Sequence, residues 1–101
     1  MNIIKTANGD QLTIAIEGRL DTTTAPQLES ELKASLDGVK SLIIDLGQLD
    51  YISSAGLRVL LFAQKTMNKQ GSDNPMVVKN SNAAIMEIFE VTGFSDILTI
   101  E

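Results

Sequence analysis

The chain has 101 residues, of which 44% are apolar and 21% charged, a composition typical of one globular domain covering residues 1–101. Its net charge of −5, with no cluster of Lys and Arg, argues against a nucleic-acid partner. Because the chain contains no His and no Cys, it cannot build a His-ligated or thiolate metal site, a Ser-His-Asp triad or a Cys nucleophile.

These absences favour a binding protein over an enzyme, so we predict no catalytic residues, no metal and no cofactor. The sequence shows neither a secretory leader nor an apolar run of the ~20 residues that a bilayer-spanning helix needs. We therefore expect a cytoplasmic protein without a membrane partner, and we expect it to be a monomer.

The first elements predicted are an antiparallel hairpin and a helix. Residues 2–5 and 12–17 are strand candidates joined across Asn8-Gly9, a dipeptide typical of tight hairpin turns, and Gly18 ends the second strand. The helix begins near Thr24, which with Gln27 has the spacing of a capping box, and it ends near Gly38.

A central strand is predicted over residues 39–46. Its continuous apolar run, Leu42-Ile43-Ile44, is expected where both faces of a sheet are covered. Asp45 stands at the predicted end of this strand, where its carboxylate can bond the N–H groups of the following loop. Whether Asp45 only stabilises a turn or belongs to a functional site is open at this point.

Two serines, Ser53 and Ser54, lie where the next loop runs into a second helix. That helix continues to about Gln70 with Gly71 as its stop, and Ser72-Asp73-Asn74-Pro75 forms a loop. From position alone, Ser54 is most simply a helix cap, since a Ser hydroxyl accepts a bond from a free N–H of the first turn. The same helix N-terminus also tolerates a phosphoryl group, because its N–H groups and its dipole favour negative charge.

The second helix carries a basic stripe beside its apolar face. Arg58, Phe62, Lys65 and Lys69 are spaced three to four residues apart, so they share one side of the helix. Phe62 either anchors a partner, as aromatic and Arg residues often do, or turns sideways into the packing against the sheet.

The remaining elements are a strand over residues 76–79, a helix over 83–92 that ends at Gly93, and a short strand or extended tail over 97–100. Strands that alternate with helices after a hairpin predict an α/β fold. We expect a mixed, mostly parallel sheet of about five strands with an opening antiparallel hairpin and about three or four helices.

Three motifs carry a family resemblance that covers essentially the whole chain. They are Asp45-Leu46 followed by Tyr51-Ile52-Ser53-Ser54-Ala55-Gly56-Leu57, then Gly18-Arg19-Leu20-Asp21, and Val91-Thr92-Gly93-Phe94. Together they resemble STAS domains, and most closely the bacterial anti-sigma factor antagonists. The resemblance implies the STAS fold, whose element order matches the one predicted here.

The resemblance also implies a function and a site. The serine two residues before the Gly-Leu pair, Ser54, would be the phosphorylation site, with Ser53 as the alternative, and Asp21, Asp45 and Gly56 would surround it. The unphosphorylated form would bind an anti-sigma factor that is also a serine kinase and so free a sigma factor, and a serine phosphatase would reset the switch. Apart from the resemblance, the basic stripe of the second helix predicts partner contacts at Arg58, Phe62 and Lys65.

Two other functional classes stay open on the sequence. One is an interaction subunit of a stress-signalling or transport assembly without sigma-factor control. The other is a passive binder of a small ligand. The serine at the sensor position argues against the transport subunits that lack it.

Overall fold

In a computed structural model, which describes residues 1–70 and 75–101, strands and helices alternate along the chain. The elements are β1 (Asn2–Asn8), β2 (Gln11–Leu20), α1 (Ala25–Ser35), β3 (Ser41–Ile52), α2 (Ser54–Gln70), β4 (Met76–Lys79) and α3 (Ala83–Thr92). A 3-10 turn, Phe94–Asp96, follows α3. The predicted stop of α2 at Gly71 and the predicted loop over Ser72, Asp73 and Asn74 lie outside the described residues.

The described strands form one mixed sheet in the order β1-β2-β3-β4. β1 and β2 pair antiparallel, and the other two pairs are parallel, which confirms the predicted hairpin and the mostly parallel sheet. Within residues 1–70 and 75–101 the sheet has four strands instead of about five, because the segment after α3 first coils into the 3-10 turn. Among the described residues, an isolated parallel bridge between Val78 and Ile100 continues the sheet past β4.

Helices cover one face of this sheet and leave the other face open. Along β2, Ile14 and Ile16 are fully buried while Ala15 between them is partly exposed, and β3 and β4 show the same alternation. The buried side chains of strands and helices form one cluster. The prediction that both faces of β3 are covered was wrong, because Ile43 is partly exposed on the open face.

β3 is longer than predicted, and this moves Asp45 away from a strand end. The register between β2 and β3 shifts after the pair Ala15–Asp45, as in a β-bulge, and β3 then continues to Ile52. The Asp45 carboxylate accepts the Gly47 N–H at 2.9 Å inside this irregularity. Asp45, which was predicted to bond the N–H groups of a loop after the strand, therefore bonds a backbone N–H at an irregularity within one strand.

A side-chain cap and a glycine set the two ends of α3. α3 begins at Asn82, whose side chain accepts the Ile85 N–H at 2.9 Å, and it ends at Gly93, which has a φ of 81° that only Gly adopts readily. No helix among residues 1–70 and 75–101 combines the length and apolarity needed to cross a bilayer.

Candidate functional site

The candidate site lies where β2 and β3 end side by side and α2 begins. Leu20 and Ile52 are paired across the two parallel strands, and the Ser53 N–H donates to the Leu20 carbonyl at 2.9 Å. This bond holds the start of α2 against the end of β2. As a result, the residues after Leu20 and the two serines share one edge of the sheet.

The two adjacent serines have different roles. The Ser53 Oγ accepts the Gly56 N–H at 3.4 Å, and its carbonyl accepts the Leu57 N–H at 2.9 Å, so Ser53 is the N-cap of α2. Ser54 is the first residue of α2, and it is exposed. The interpretation of Ser54 as the cap was therefore wrong: the chain turns into the helix one residue earlier, which leaves the Ser54 side chain facing solvent.

Gly56 lets α2 approach the strand ends closely. A Cβ atom at this position would lie 2.7 Å from Leu20 Cγ and 2.9 Å from Ile52 Cγ1, distances that real Cβ contacts do not show. Gly56 is buried two residues after Ser54. It therefore fixes where Ser54 stands relative to the sheet, a role that the motif alone did not reveal.

Asp21 caps the turn that leads into α1. Its Oδ1 accepts the N–H groups of Thr23 at 3.0 Å and Thr24 at 3.1 Å, and its own N–H donates to the Thr24 Oγ1 at 2.9 Å. The predicted capping box of Thr24 and Gln27 was wrong, because the Thr24 side chain bonds backward to Asp21 and to the Arg19 carbonyl. The reciprocal bonds of a capping box instead join Asp21 and Thr24, one turn earlier in the chain.

The Asp21 carboxyl is held as an anion at this edge. The Thr24 N–H contributes most to keeping the pKa of Asp21 below its usual value of 3.8, and the Thr23 N–H, the Thr24 hydroxyl and Arg19 contribute further. Partial burial works in the opposite direction. A negative charge therefore stands at the edge of the sheet where the serines lie.

A stacked pair, Arg19 and Tyr51, lies at the same edge and was missed in the sequence. The two residues are paired across β2 and β3, and the Arg19 guanidinium carbon lies 4.3 Å from the Tyr51 ring centroid. Arg19 Nε is also 3.8 Å from Asp21 Oδ2. Each residue lies two positions before the polar residue that follows its strand: Arg19 before Asp21, and Tyr51 before Ser53. This spacing could have indicated the contact only if the parallel register of the two strands had been known.

An open groove of about 340 Å³ runs between the starts of α1 and α2. It is lined by Thr22, Ala25, Pro26, Glu29, Ala55, Arg58 and Val59. Its floor is apolar, and Glu29 on α1 and Arg58 on α2 supply its charges. The groove therefore borders the turn of α2 that carries Ser54.

The predicted stripe on α2 is only partly exposed. Arg58 and Lys65 are exposed, whereas Phe62 is partly buried and packs against the core. The Lys33 ammonium of α1 lies 5.8 Å from the Phe62 ring centroid. Of the two interpretations of Phe62, the structure supports packing, with one part of the ring left open to solvent.

Asp45 is not brought to the serines. It lies within β3, and Asn80 donates to its Oδ1 at 3.1 Å. The strand residues from Asp45 to Ile52 cover roughly 20 Å at about 3.3 Å per residue. Among the described residues, no group of three or more potential ligands is arranged to hold a metal ion.

Comparisons with known proteins place these features in context. The STAS domain family model matches residues 2–101. BtrV of Bordetella bronchiseptica, provisionally named an anti-sigma factor antagonist, is 38% identical over 88% of this chain and 76% of its own length. The anti-sigma-B factor antagonist of Listeria monocytogenes is 33% identical over 100% of this chain and 90% of its own.

Solved structures show the same fold. The anti-sigma factor antagonist SpoIIAA in its unphosphorylated form superposes with a TM-score of 0.75 at 14% identity, over 99% of this chain and 87% of the other. Bacillus SpoIIAA in its phosphorylated form gives a TM-score of 0.73 at 13% identity, over 99% and 91%. At these identities the likeness concerns the fold alone.

Proposed function

We propose that this chain, which belongs to the STAS domain family and within it to the anti-sigma factor antagonists, acts as a binding module controlled by phosphorylation. Its unphosphorylated form binds an anti-sigma factor that is also a serine kinase, and this releases a sigma factor. Phosphorylation of Ser54 ends the binding, and a serine phosphatase restores it. We propose no catalytic activity for the chain itself, and a cytoplasmic location.

The observation that carries this proposal is the placement of Ser54 as the exposed first residue of α2. Ser53 is a weaker candidate acceptor, because it is less exposed than Ser54 and its hydroxyl oxygen is already engaged with the Gly56 N–H. A phosphate on Ser54 leaves the cap intact. It also stands at the helix N-terminus, where negative charge is tolerated.

The phosphate acts on the partner through its charge. It adds about −1.5 to −2 charge and three acceptor oxygens. The edge already carries the Asp21 anion, and the chain has a net charge of −5, so the addition strengthens an existing negative field. A partner that docks over Ser54 then meets a phosphate that has to be desolvated and that repels acidic groups of the partner. This effect requires no rearrangement of the fold.

The proposed docking surface combines the start of α2 with its exposed cations. Arg58 and Lys65 offer charge to an acidic partner surface, and the exposed part of Phe62 offers an aromatic contact. Asp21 and Gly56 shape the site around Ser54. The support from relatives is their names, since both sequence relatives described above are named anti-sigma factor antagonists.

Capture of the partner tests this function. The unmodified protein is immobilised and exposed to an extract of its own organism, and the bound proteins are identified by mass spectrometry. The purified partner is then incubated with the protein and ATP, and the phosphate is mapped. We expect a kinase-like anti-sigma factor and phosphate on Ser54, with Ser54→Ala as the unmodified control. Phosphate on Ser53 alone would contradict the site.

A further inference from the structure

Arg58 stands one helical turn after Ser54 on the same side of α2. Residues four apart on a helix have Cβ atoms about 5–6 Å from each other. Helical side chains lean toward the N-terminus, so the patch that Arg58 covers lies over the turn that contains Ser54. A phosphate on Ser54 therefore lies within reach of the Arg58 guanidinium without a change in the backbone.

Other charges near this edge are already engaged. Arg19 is placed between Tyr51 and Asp21, and Glu29 pairs with Lys33 at 3.8 Å. Arg58 is exposed and takes part in none of the salt bridges among residues 1–70 and 75–101. Its guanidinium, which can bond a phosphate through two N–H groups, is available.

Arg58 also supplies the positive charge of the groove between α1 and α2. Among the described residues that line the groove, Arg58 is the cation and Glu29 is the anion, and the rest of the lining is apolar or a hydroxyl. If Arg58 swings toward Ser54, the groove keeps its apolar floor but loses its positive charge. The charged lining residue that remains is Glu29, which Lys33 partly offsets.

We infer that a phosphate on Ser54 captures the Arg58 guanidinium and so removes the positive charge from the groove between α1 and α2. Arg58 is thus the positioning residue that transmits the modification from the helix start to the docking groove. In the unmodified protein the same guanidinium is free to take a carboxylate of the partner. This inference deepens the proposed function and rests on Ser54 as the modified residue.

The test measures the second pKa of the phosphate. Phosphoserine is incorporated at position 54 during synthesis, in the full chain and in three variants: Arg58→Gln, Arg58→Lys and Lys69→Gln. The phosphate is titrated by phosphorus NMR at low salt, from an ordinary second pKa near 6. Lys69→Gln removes one charge from the same helix about 16 Å farther along at 1.5 Å per residue, so it controls for net charge.

We expect the second pKa of the phosphate to be roughly 0.3 to 1 lower with Arg58 than with Gln at that position. Arg58→Lys should restore at least part of the lowering, Lys69→Gln should change the pKa far less, and added salt should shrink the difference. Asp21, Glu29 and Arg19 are the same in every variant, so they do not contribute to the differences.

Equal pKa values for the parent and Arg58→Gln would overturn the inference, as would an equal rise for Lys69→Gln and Arg58→Gln. Arg58 is exposed, so the variants are expected to fold, and circular dichroism of each checks this. The phosphoserine is placed without any kinase. A negative result therefore rejects the capture by Arg58 and leaves the proposed function to be decided by partner capture.

Discussion

Two neighbouring serines at the start of α2 lie in different environments. The Ser53 hydroxyl oxygen satisfies the Gly56 N–H, while the Ser54 side chain is exposed. At the cap position, the hydroxyl oxygen that a kinase must reach is engaged with the helix and only partly exposed. Separating cap from acceptor lets the proposed phosphate come and go at little cost to the fold.

The lowered pKa of Asp21 predicts how the stability of the protein depends on pH. Its pKa is lowered in the folded protein, chiefly by the Thr24 N–H. The stabilisation by this carboxylate is therefore fully present above its usual pKa of 3.8 and is lost as the pH falls through the lower folded value. Asp21→Asn keeps a capping side chain but removes the charge. We expect the difference in unfolding free energy between parent and variant to shrink on acidification from pH about 6 to about 3.

Urea titrations of both proteins across this range measure the difference. A gap that stays constant or widens as the pH falls would show that the charge of Asp21 does not contribute to stability. The capping bonds would then act only as neutral hydrogen bonds.

At the scale of elements, α2 is fixed by one close contact with the strands beneath it. Gly56→Ala should destabilise the protein by about 1–3 kcal/mol, because the added methyl overlaps Leu20 and Ile52 and overpacks the contact. The gain in helix propensity of up to about 1 kcal/mol does not offset a larger clash. In a Leu20→Ala background the same substitution should cost clearly less, since one clashing side chain is gone.

Urea unfolding of the four proteins in this double-mutant cycle gives the coupling energy between Gly56 and Leu20. An unchanged cost in the Leu20→Ala background would mean that the close approach of α2 is not what requires Gly at this position.

Phe62 on α2 and Phe89 on α3 are the same residue type in different environments, so the same substitution can be compared at both positions. Phe89 is fully buried, whereas Phe62 is partly exposed beside Lys33. We expect Phe89→Ala to lower the unfolding free energy by about 3–5 kcal/mol and Phe62→Ala by about half of that or less. We also expect Phe62→Ala to weaken the binding free energy of the partner by about 2 kcal/mol or more, because the exposed part of the Phe62 ring is proposed to contact the partner. A loss at Phe62 as large as at Phe89, with affinity unchanged, would show that Phe62 serves packing alone.

At the scale of the whole molecule, the sheet is covered on one face only, and the adjacent residues Ile43 and Ile44 test this. Ile44 is fully buried under the helices, whereas Ile43 points to the open face. Ile44→Ala should cost about 2–5 kcal/mol of unfolding free energy, and Ile43→Ala should cost much less. Equal losses in urea unfolding would indicate that the second face is also covered in solution.

The elements and the motif were predictable from the sequence because both rest on local patterns. Apolar periodicity located the hairpin and the helices, and the Ser-Ser-Ala-Gly-Leu run located the edge where β3 meets α2. What escaped prediction depends on pairing between distant residues. The bulge that carries β3 past Asp45 and the contact of Arg19 with Tyr51 follow from the register of β2 on β3, which neither strand encodes alone. The cap was assigned to Ser54 instead of Ser53, because a shift of one residue in the helix start decides which serine is the cap.

In the proposed function, the charge at residue 54 switches binding of the anti-sigma factor. Calorimetric titration of the partner identified by capture, against four forms of the protein, tests it most directly. The unmodified protein and Ser54→Ala should bind with similar affinity, while phosphoserine at 54 and Ser54→Asp should bind at least about tenfold more weakly, a difference of about 1.4 kcal/mol. A phosphoserine form that binds as tightly as the unmodified protein would show that charge at residue 54 does not control the binding.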